Sequence, residues 1–99
     1  MNSNINETLQ IEFNDNSILS SLFGVSDCNI QLLERINNVK IEYRGNVVKI
    51  SGNKLSINET KEALQKLFEE AKKGIEIDED KIKDTKSLLS LNIKENSQL

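Results

Sequence analysis

Two stretches of the chain alternate apolar and polar residues, which is the period of a half-buried strand. Leu9, Ile11 and Phe13 define the first stretch, and the second begins at Val39. Gly45-Asn46 interrupts the second stretch where a two-residue hairpin turn would lie. In the register that this turn sets, Tyr43 faces Val48 and Ile41 faces Ile50 on one side, while Glu42 faces Lys49 and Arg44 faces Val47 on the other.

Between these stretches, apolar residues recur at helical spacing on both sides of a short break. The spacing predicts one helix at 16–23 and a second at about 28–36. Gly24 is expected to end the first helix in a left-handed conformation, and Ser26 or Asp27 to cap the second. The segment is therefore predicted to be a pair of helices joined by a very short turn.

The longest predicted helix follows Gly52-Asn53-Lys54 and ends at Gly74. Ser56 and Glu59 have the spacing of a capping box at its start. A further short helix is expected from Asp78, where acidic residues favour the positive end of the helix dipole.

The order strand, helix, helix, strand, strand, helix predicts an α+β sandwich. Its three-stranded antiparallel sheet would carry the helices on one face, with the short C-terminal helix appended. We expect residues 1–8 to be a disordered leader and 9–74 to be the folded domain. Residues 75–91 would form the appended helix or a linker, and 92–99 a disordered tail.

Composition narrows the range of functions. The net charge of −3 argues against a protein that coats nucleic acid through bulk electrostatics, so any nucleic-acid contact must be local. The chain has no His, which excludes imidazole catalysis, and its single cysteine, Cys28, excludes an internal disulfide. No segment has the apolar length of a membrane span, and the expected location is the cytoplasm.

The predicted order of elements resembles that of KH-type RNA-binding modules, in which a Gly-x-x-Gly loop joins two short helices. More closely, four segments in their order and spacing resemble the N-terminal domain of PhoH-like (phosphate-starvation-inducible) ATPases. These segments are IEFNDN at 11–16, Leu22-Phe23-Gly24, RGNVVKISG at 44–52 and AKKG at 71–74. The resemblance covers roughly residues 9–91.

In that family a P-loop ATPase core follows this domain, and the proteins are associated with RNA metabolism and ribosome maturation. The chain itself has no G-x-x-x-x-G-K-S/T motif, so we expect no cofactor and no ATP hydrolysis here. ATP and Mg²⁺ are expected only for the missing ATPase domain. The resemblance implies three partners, namely single-stranded or ribosomal RNA, the ATPase core of the same protein and a partner nuclease.

The candidate nucleic-acid contacts fall into two groups. The first is the turn Gly24, Val25, Ser26 and Asp27, where Asp27 stands in place of the second glycine of a KH loop. A carboxylate at this position crowds a nucleic-acid backbone and repels phosphate. The second group consists of the basic residues that could contact phosphates, Arg35, Lys40, Arg44, Lys49 and Lys54.

Each group also has a structural interpretation. Asp27 can be an ordinary helix cap, and the basic residues can be a solvated sheet face containing a Glu42–Lys49 pair. Tyr43 could stack on a base, but its phase with Ile41 places it on the core face. Two functions are open: a domain that positions RNA for the ATPase motor, or a protein-docking or oligomerisation module that does not contact RNA.

Overall fold

The computed structural model describes the backbone from Glu7 to Ser97 and the side chains from Glu7 to Leu89. The described chain forms three strands and four helices, and the predicted α+β class and βααββα order are confirmed. The elements are β1 Glu7–Glu12, α1 Asn16–Phe23, a 3₁₀ turn Val25–Asp27, α2 Cys28–Asn37, β2 Lys40–Arg44, β3 Val47–Gly52, α3 Lys54–Lys72 and α4 Glu79–Ser97.

The three strands form one antiparallel sheet in the order β1-β3-β2. The predicted hairpin register is confirmed, with Tyr43 opposite Val48 and Glu42 opposite Lys49. Asn46, in the hairpin turn, also fixes the end of β1: its Nδ2 donates to the Phe13 carbonyl at 2.6 Å, and its own carbonyl accepts from the Phe13 N–H at 2.9 Å. The hairpin tip is therefore anchored to the residue that follows β1.

The core lies between one face of the sheet and the helices. Its fully buried apolar side chains are aliphatic, as the low aromatic content predicts, and include Leu19, Leu22, Val48, Ile50, Leu64 and Leu67. Burying each such side chain contributes about 1.5–3 kcal/mol relative to an exposed one. The opposite face of the sheet carries the polar partners Gln10, Glu42 and Lys49 in one row.

The N-terminal caps are short polar side chains that precede the helices. Asp15 Oδ1 accepts from the Ser17 and Ile18 N–H groups at 3.0 and 3.3 Å, which caps α1. The start of α3 differs from the predicted Ser56–Glu59 capping box: Asn53 Oδ1 caps the helix by accepting from the Ser56 N–H at 2.8 Å. Asn53 takes this role because its backbone is extended, as a cap requires.

The chain termini depart from the predicted boundaries. Strand β1 begins at Glu7, so residues 7 and 8 belong to the sheet, and the rest of the expected leader lies outside the described residues. Helix α4 has 19 residues instead of being short, and it runs through most of the segment expected to be a disordered tail, with 98 and 99 outside the described residues.

Helix α4 packs on α2 and α3 as part of the same domain. Ile82 and Thr85 are 1% and 2% exposed, and Ile77 in the preceding linker is also buried. Lys86 Nζ donates to Asn37 Oδ1 at 2.8 Å and to Glu59 Oε1 at 2.9 Å, which joins all three helices. The segment after Gly74 is thus a packed element rather than a free linker.

Candidate nucleic-acid interface

The turn between α1 and α2 depends on Gly24. Its φ of 83° is left-handed, and its N–H closes α1 by donating to the Ser20 carbonyl at 3.3 Å. A Cβ at this position would lie 2.9 Å from both Asn29 Nδ2 and Cys28 Sγ, so a larger residue must displace these side chains and adopt a strained positive φ. The predicted end of the first helix at Gly24 is confirmed, and the turn leaves Val25 84% exposed.

The next two residues, Ser26 and Asp27, both have left-handed backbone angles, with φ of 53° and 59°. Left-handed geometry costs non-glycine residues roughly 1–2 kcal/mol each. Asp27 directly precedes α2, yet its side chain makes no capping bond, so the prediction that Ser26 or Asp27 caps this helix is wrong. Its left-handed backbone is not the extended conformation that a side-chain cap requires.

The Asp27 carboxylate instead meets Tyr43 on β2. The Tyr43 hydroxyl lies 2.8 and 2.9 Å from the two carboxylate oxygens and donates its proton to them. This hydrogen bond is the largest of the causes that raise the pKa of Tyr43 above 10.0, because ionisation would place two negative charges together. The contact joins the turn to the sheet.

Tyr43 lies on the predicted inner face of the sheet but at its edge, where it remains 43% exposed. Its ring packs on Phe23, the last residue of α1, with a centroid distance of 4.3 Å and a tilt of 37°. The prediction of a core residue is therefore only half right, since β2 is an edge strand of the sheet and leaves the Tyr43 ring partly open to solvent. The exposed part of the ring faces the region beside the turn.

Together these residues line a groove of about 250 Å³ between the turn and the hairpin tip. Its walls include Phe23, Gly24, Asp27, Tyr43 and Gly45. The sequence identifies the turn residues but misses Phe23 and Gly45 as walls. Their positions in the sequence could have identified them as walls, since Phe23 directly precedes the α1–α2 turn and Gly45 forms the hairpin turn.

Three of the predicted basic residues, Lys40, Arg44 and Lys49, lie on the outer face of the sheet, away from this groove. Glu42 is close to two of them, with ion pairs of 3.6 Å to Lys40 and 3.8 Å to Lys49. The Lys40, Glu42 and Lys49 side chains are each at least 44% exposed, and ion pairs this exposed contribute about 0–1 kcal/mol to stability. Arg44, beside the hairpin turn, makes no ion pair with the described residues and is the most available cation on this face.

The other two predicted basic residues lie elsewhere, so the five do not form one surface. Arg35 on α2 lies near the start of α4. A hydrogen bond to Lys83 is the main cause that lowers the pKa of Glu79, and the charge of Arg35 lowers it slightly further. Lys54 begins α3, beyond the end of β3 that is farthest from the hairpin tip. The length of β3 therefore separates Lys54 from the hairpin tip by on the order of 15–20 Å.

A second, larger cleft lies between the α1–α2 turn, α2 and the linker before α4. Its volume is about 780 Å³, and its apolar lining includes Val25, Leu32 and Ile75. Val25 is 84% exposed and Ile75 41% exposed. Glu76 and Asp78 lie on its rim. The sequence analysis did not identify this cleft, because the linker that forms one wall carries no periodic pattern.

The described residues show no group of three or more acidic or cysteine side chains placed to hold a metal ion. Asp78, within the acidic stretch, accepts from the Lys81 N–H at 2.9 Å and so caps α4. Among the described residues, no helix is both long enough and apolar enough to cross a membrane.

No protein-family model matches this chain, and no curated protein sequence matches it. The resemblance to PhoH-like ATPases therefore stays a prediction that stands on the residues quoted above. The groove and the cleft are both lined by residues of the α1–α2 turn.

Proposed function

We propose that this chain is the accessory KH-like domain of a PhoH-like ATPase and that it positions single-stranded or ribosomal RNA relative to the motor. The observation that carries the proposal is the meeting of the Gly24–Asp27 turn and the hairpin tip around a groove with an exposed aromatic wall. Exposed aromatic side chains are a common platform for unstacked RNA bases.

The charges define how RNA would lie on this domain. Asp27 disfavours phosphate in the groove, so the RNA backbone would run outside it. Arg44 follows Tyr43 in β2 and lies on the outer face next to the hairpin turn. It is the side chain that we assign to a phosphate, with Lys40 and Lys49 farther along the same face.

The proposal gives this chain a binding role and leaves ATP and Mg²⁺ to the ATPase domain of the parent protein. We place that parent in the cytoplasm, where RNA metabolism and ribosome maturation would supply its substrate.

An NMR titration of the ¹⁵N-labelled chain with short single-stranded RNA tests the proposal. We expect shifts at Gly24–Asn29 and at Tyr43–Asn46 that fade as salt rises. Arg44→Ala should weaken binding and reduce the salt slope by about one. Lys54→Ala is the matched control, since it removes the same charge at the far end of the sheet. A silent spectrum at low salt would remove the RNA function.

A second candidate function is protein docking, and the larger cleft favours it. Val25 exposes 84% of its surface and Ile75 exposes 41%, both within the same concave site. Exposed apolar residues grouped in a cleft are typical of protein interaction sites. The occupant proposed here is the ATPase core of the same protein, with a neighbouring subunit or a partner nuclease as the alternatives.

Docking is tested by adding the ATPase core in trans and measuring binding by calorimetry. Val25→Glu should abolish binding, whereas Leu55→Glu should not, because Leu55 is 64% exposed but lies outside the cleft. Absence of binding at high concentration would remove the ATPase core as the occupant, and equal effects of both substitutions would remove the cleft.

A further inference from the structure

The larger cleft, between the α1–α2 turn, α2 and the linker before α4, combines exposed apolar side chains with an acidic rim. Val25 on the turn is 84% exposed and Ile75 on the linker is 41% exposed, while Glu76 and Asp78 lie on the rim. We infer that this cleft binds a protein segment that presents an apolar side chain flanked by Lys or Arg. The inference rests on the docking function proposed above and adds the chemistry of the partner to it.

Asn29 holds the two walls of the cleft together. Its side chain is buried, and its Nδ2 donates to the Leu22 carbonyl near the end of α1 at 2.8 Å and to the Ile77 carbonyl in the linker at 3.0 Å. One side chain therefore bridges the turn region and the linker, so the cleft is formed before a partner binds. A preformed site loses less conformational entropy on binding than a site that must first become ordered.

The turn displays Val25 at the surface instead of burying it. The Asp27 carboxylate on the same turn is bonded to the Tyr43 hydroxyl at 2.8 and 2.9 Å, which ties the turn to the sheet. Ile77 also lines the cleft but is only 8% exposed. The apolar surface that a partner can remove from water is therefore mainly that of Val25 and Ile75, and an apolar side chain is the group that gains most from covering it.

The charged residues of the cleft favour a basic partner. Among the described residues that line it, three carry a carboxylate, namely Glu76, Asp78 and Glu79, and Arg35 carries a positive charge. Glu79 pairs with Lys83 at 2.7 Å, and Asp78 caps α4 through Oδ1. Glu76 forms no ion pair with any described side chain, so it is the carboxylate that we assign to a cation of the partner. Complementary charges of this kind contribute mainly to the specificity and the association rate of protein interfaces.

The size of the cleft and the sign of its charge define the class of occupant. Its volume of about 780 Å³ lies within the roughly 300–1,000 Å³ of sites for drug-sized ligands, which is room for a few side chains. The carboxylates repel phosphate, which disfavours nucleic acid in this cleft. Lys and Arg suit it because their aliphatic stems lie along apolar surface while their charged groups stay in water at the rim.

A selection of random peptides displayed on phage tests the inference, with the full chain as the target. Peptides that also bind the Val25→Ser variant are removed, so those that remain depend on the cleft. We expect the remaining peptides to be enriched in an apolar residue next to Lys or Arg and depleted of Asp and Glu. Fluorescence anisotropy then measures the affinity of the strongest labelled peptide, which should weaken as salt rises.

Glu76→Lys assigns the preference for basic peptides to the rim. It replaces an attractive charge by a repulsive one at an exposed position, so the affinity should fall about three- to tenfold. Glu62→Lys is the matched control, because Glu62 is exposed on α3 outside the cleft and its substitution changes the net charge equally. Ile75→Ser should lower the affinity about fivefold or more by removing apolar surface, whereas Leu55→Ser, outside the cleft, should leave it unchanged.

The outcomes separate the inference from the function on which it rests. Selected peptides that depend on Val25 but are acidic or uncharged would overturn the basic chemistry of the partner and leave the cleft as a docking site. Equal losses of affinity in Glu76→Lys and Glu62→Lys would overturn the role of the rim, since net charge alone would then explain the preference. Absence of any peptide that depends on Val25 would overturn the docking site and the inference together.

Discussion

The contact of α4 with α2 and α3 and the groove beside the α1–α2 turn both contain hydrogen-bonded polar side chains, but these differ in their exposure to solvent. Where α4 packs on α2 and α3, Lys86 donates to Asn37 and Glu59, and Asn37 is only 5% exposed. In the groove, Asp27 and Tyr43 also bond to each other, but the tyrosine is 43% exposed. One set of polar contacts lies within the fold, and the other lies at its surface.

The difference follows from desolvation. A buried polar group that loses its partner costs about 1–3 kcal/mol, so loss of the Asn37 contact beneath α4 should destabilise the domain. A half-exposed pair exchanges its partner for water or a ligand at much lower cost. Polar contacts under α4 therefore serve stability, whereas those in the groove are available for binding.

The largest expected effect tests whether α4 belongs to the core. Ile82→Ala should lower the free energy of unfolding by about 2–5 kcal/mol, because Ile82 is 1% exposed and the substitution leaves a cavity. Leu88→Ala on the same helix should change it by less than about 1 kcal/mol, since Leu88 is 51% exposed. Urea unfolding followed by circular dichroism measures both. Equal, small effects would mean that α4 is not packed in solution.

The next largest effect concerns Asn29, which is 5% exposed and joins the turn to the linker before α4. Its Nδ2 donates to the Leu22 carbonyl at 2.8 Å and to the Ile77 carbonyl at 3.0 Å. Asn29→Ala leaves both carbonyls without this donor and should cost about 1–3 kcal/mol of unfolding free energy. Gln31→Ala, on an exposed position of the same helix, should stay within about 0.5 kcal/mol.

The fold could be predicted from the sequence largely because its elements are local and periodic. The hairpin register follows from the two-residue turn at Gly45-Asn46 and the alternation on either side of it. Helix α1 was predicted at its observed bounds, since Gly24 marks its end. The length of α4 could not be predicted, because its apolar pattern is weak and its buried polar residues, such as Thr85, give no periodic signal.

The candidate site was predicted only in part. The turn at Gly24 is local, so sequence locates it, but the bond between Asp27 and Tyr43 joins residues 16 positions apart. The basic residues were grouped because they are neighbours in sequence, and the fold then separates them. Arg35 lies on a helix toward α4, while Lys40 and Lys49 lie on the outer face of the sheet.

A smaller effect tests the backbone of the turn. Ser26→Gly should raise the free energy of unfolding by about 0.5 kcal/mol. Glycine removes the strain of a left-handed backbone at this position, and that gain slightly exceeds the conformational entropy that glycine loses on folding. Ser21→Gly, within α1, should instead lower it by about 0.5–1 kcal/mol. If both substitutions destabilise the protein equally, Ser26 does not hold a left-handed conformation in solution.

The smallest effect is on the ionisation of Tyr43, and it tests directly whether Asp27 and Tyr43 are bonded in solution. The chain has one Tyr and no Trp, so ultraviolet absorbance reports this residue alone. We expect an apparent pKa above 10.0 that falls toward 10.0 in Asp27→Asn and does not change in Asp84→Asn. Because the folded-state pKa is raised, the contact contributes stability below pH 10 and loses it as the pH rises through that pKa. An unchanged titration in Asp27→Asn would show that the carboxylate is not held at the hydroxyl, and the α1–α2 turn would then lack its side-chain bond to the sheet.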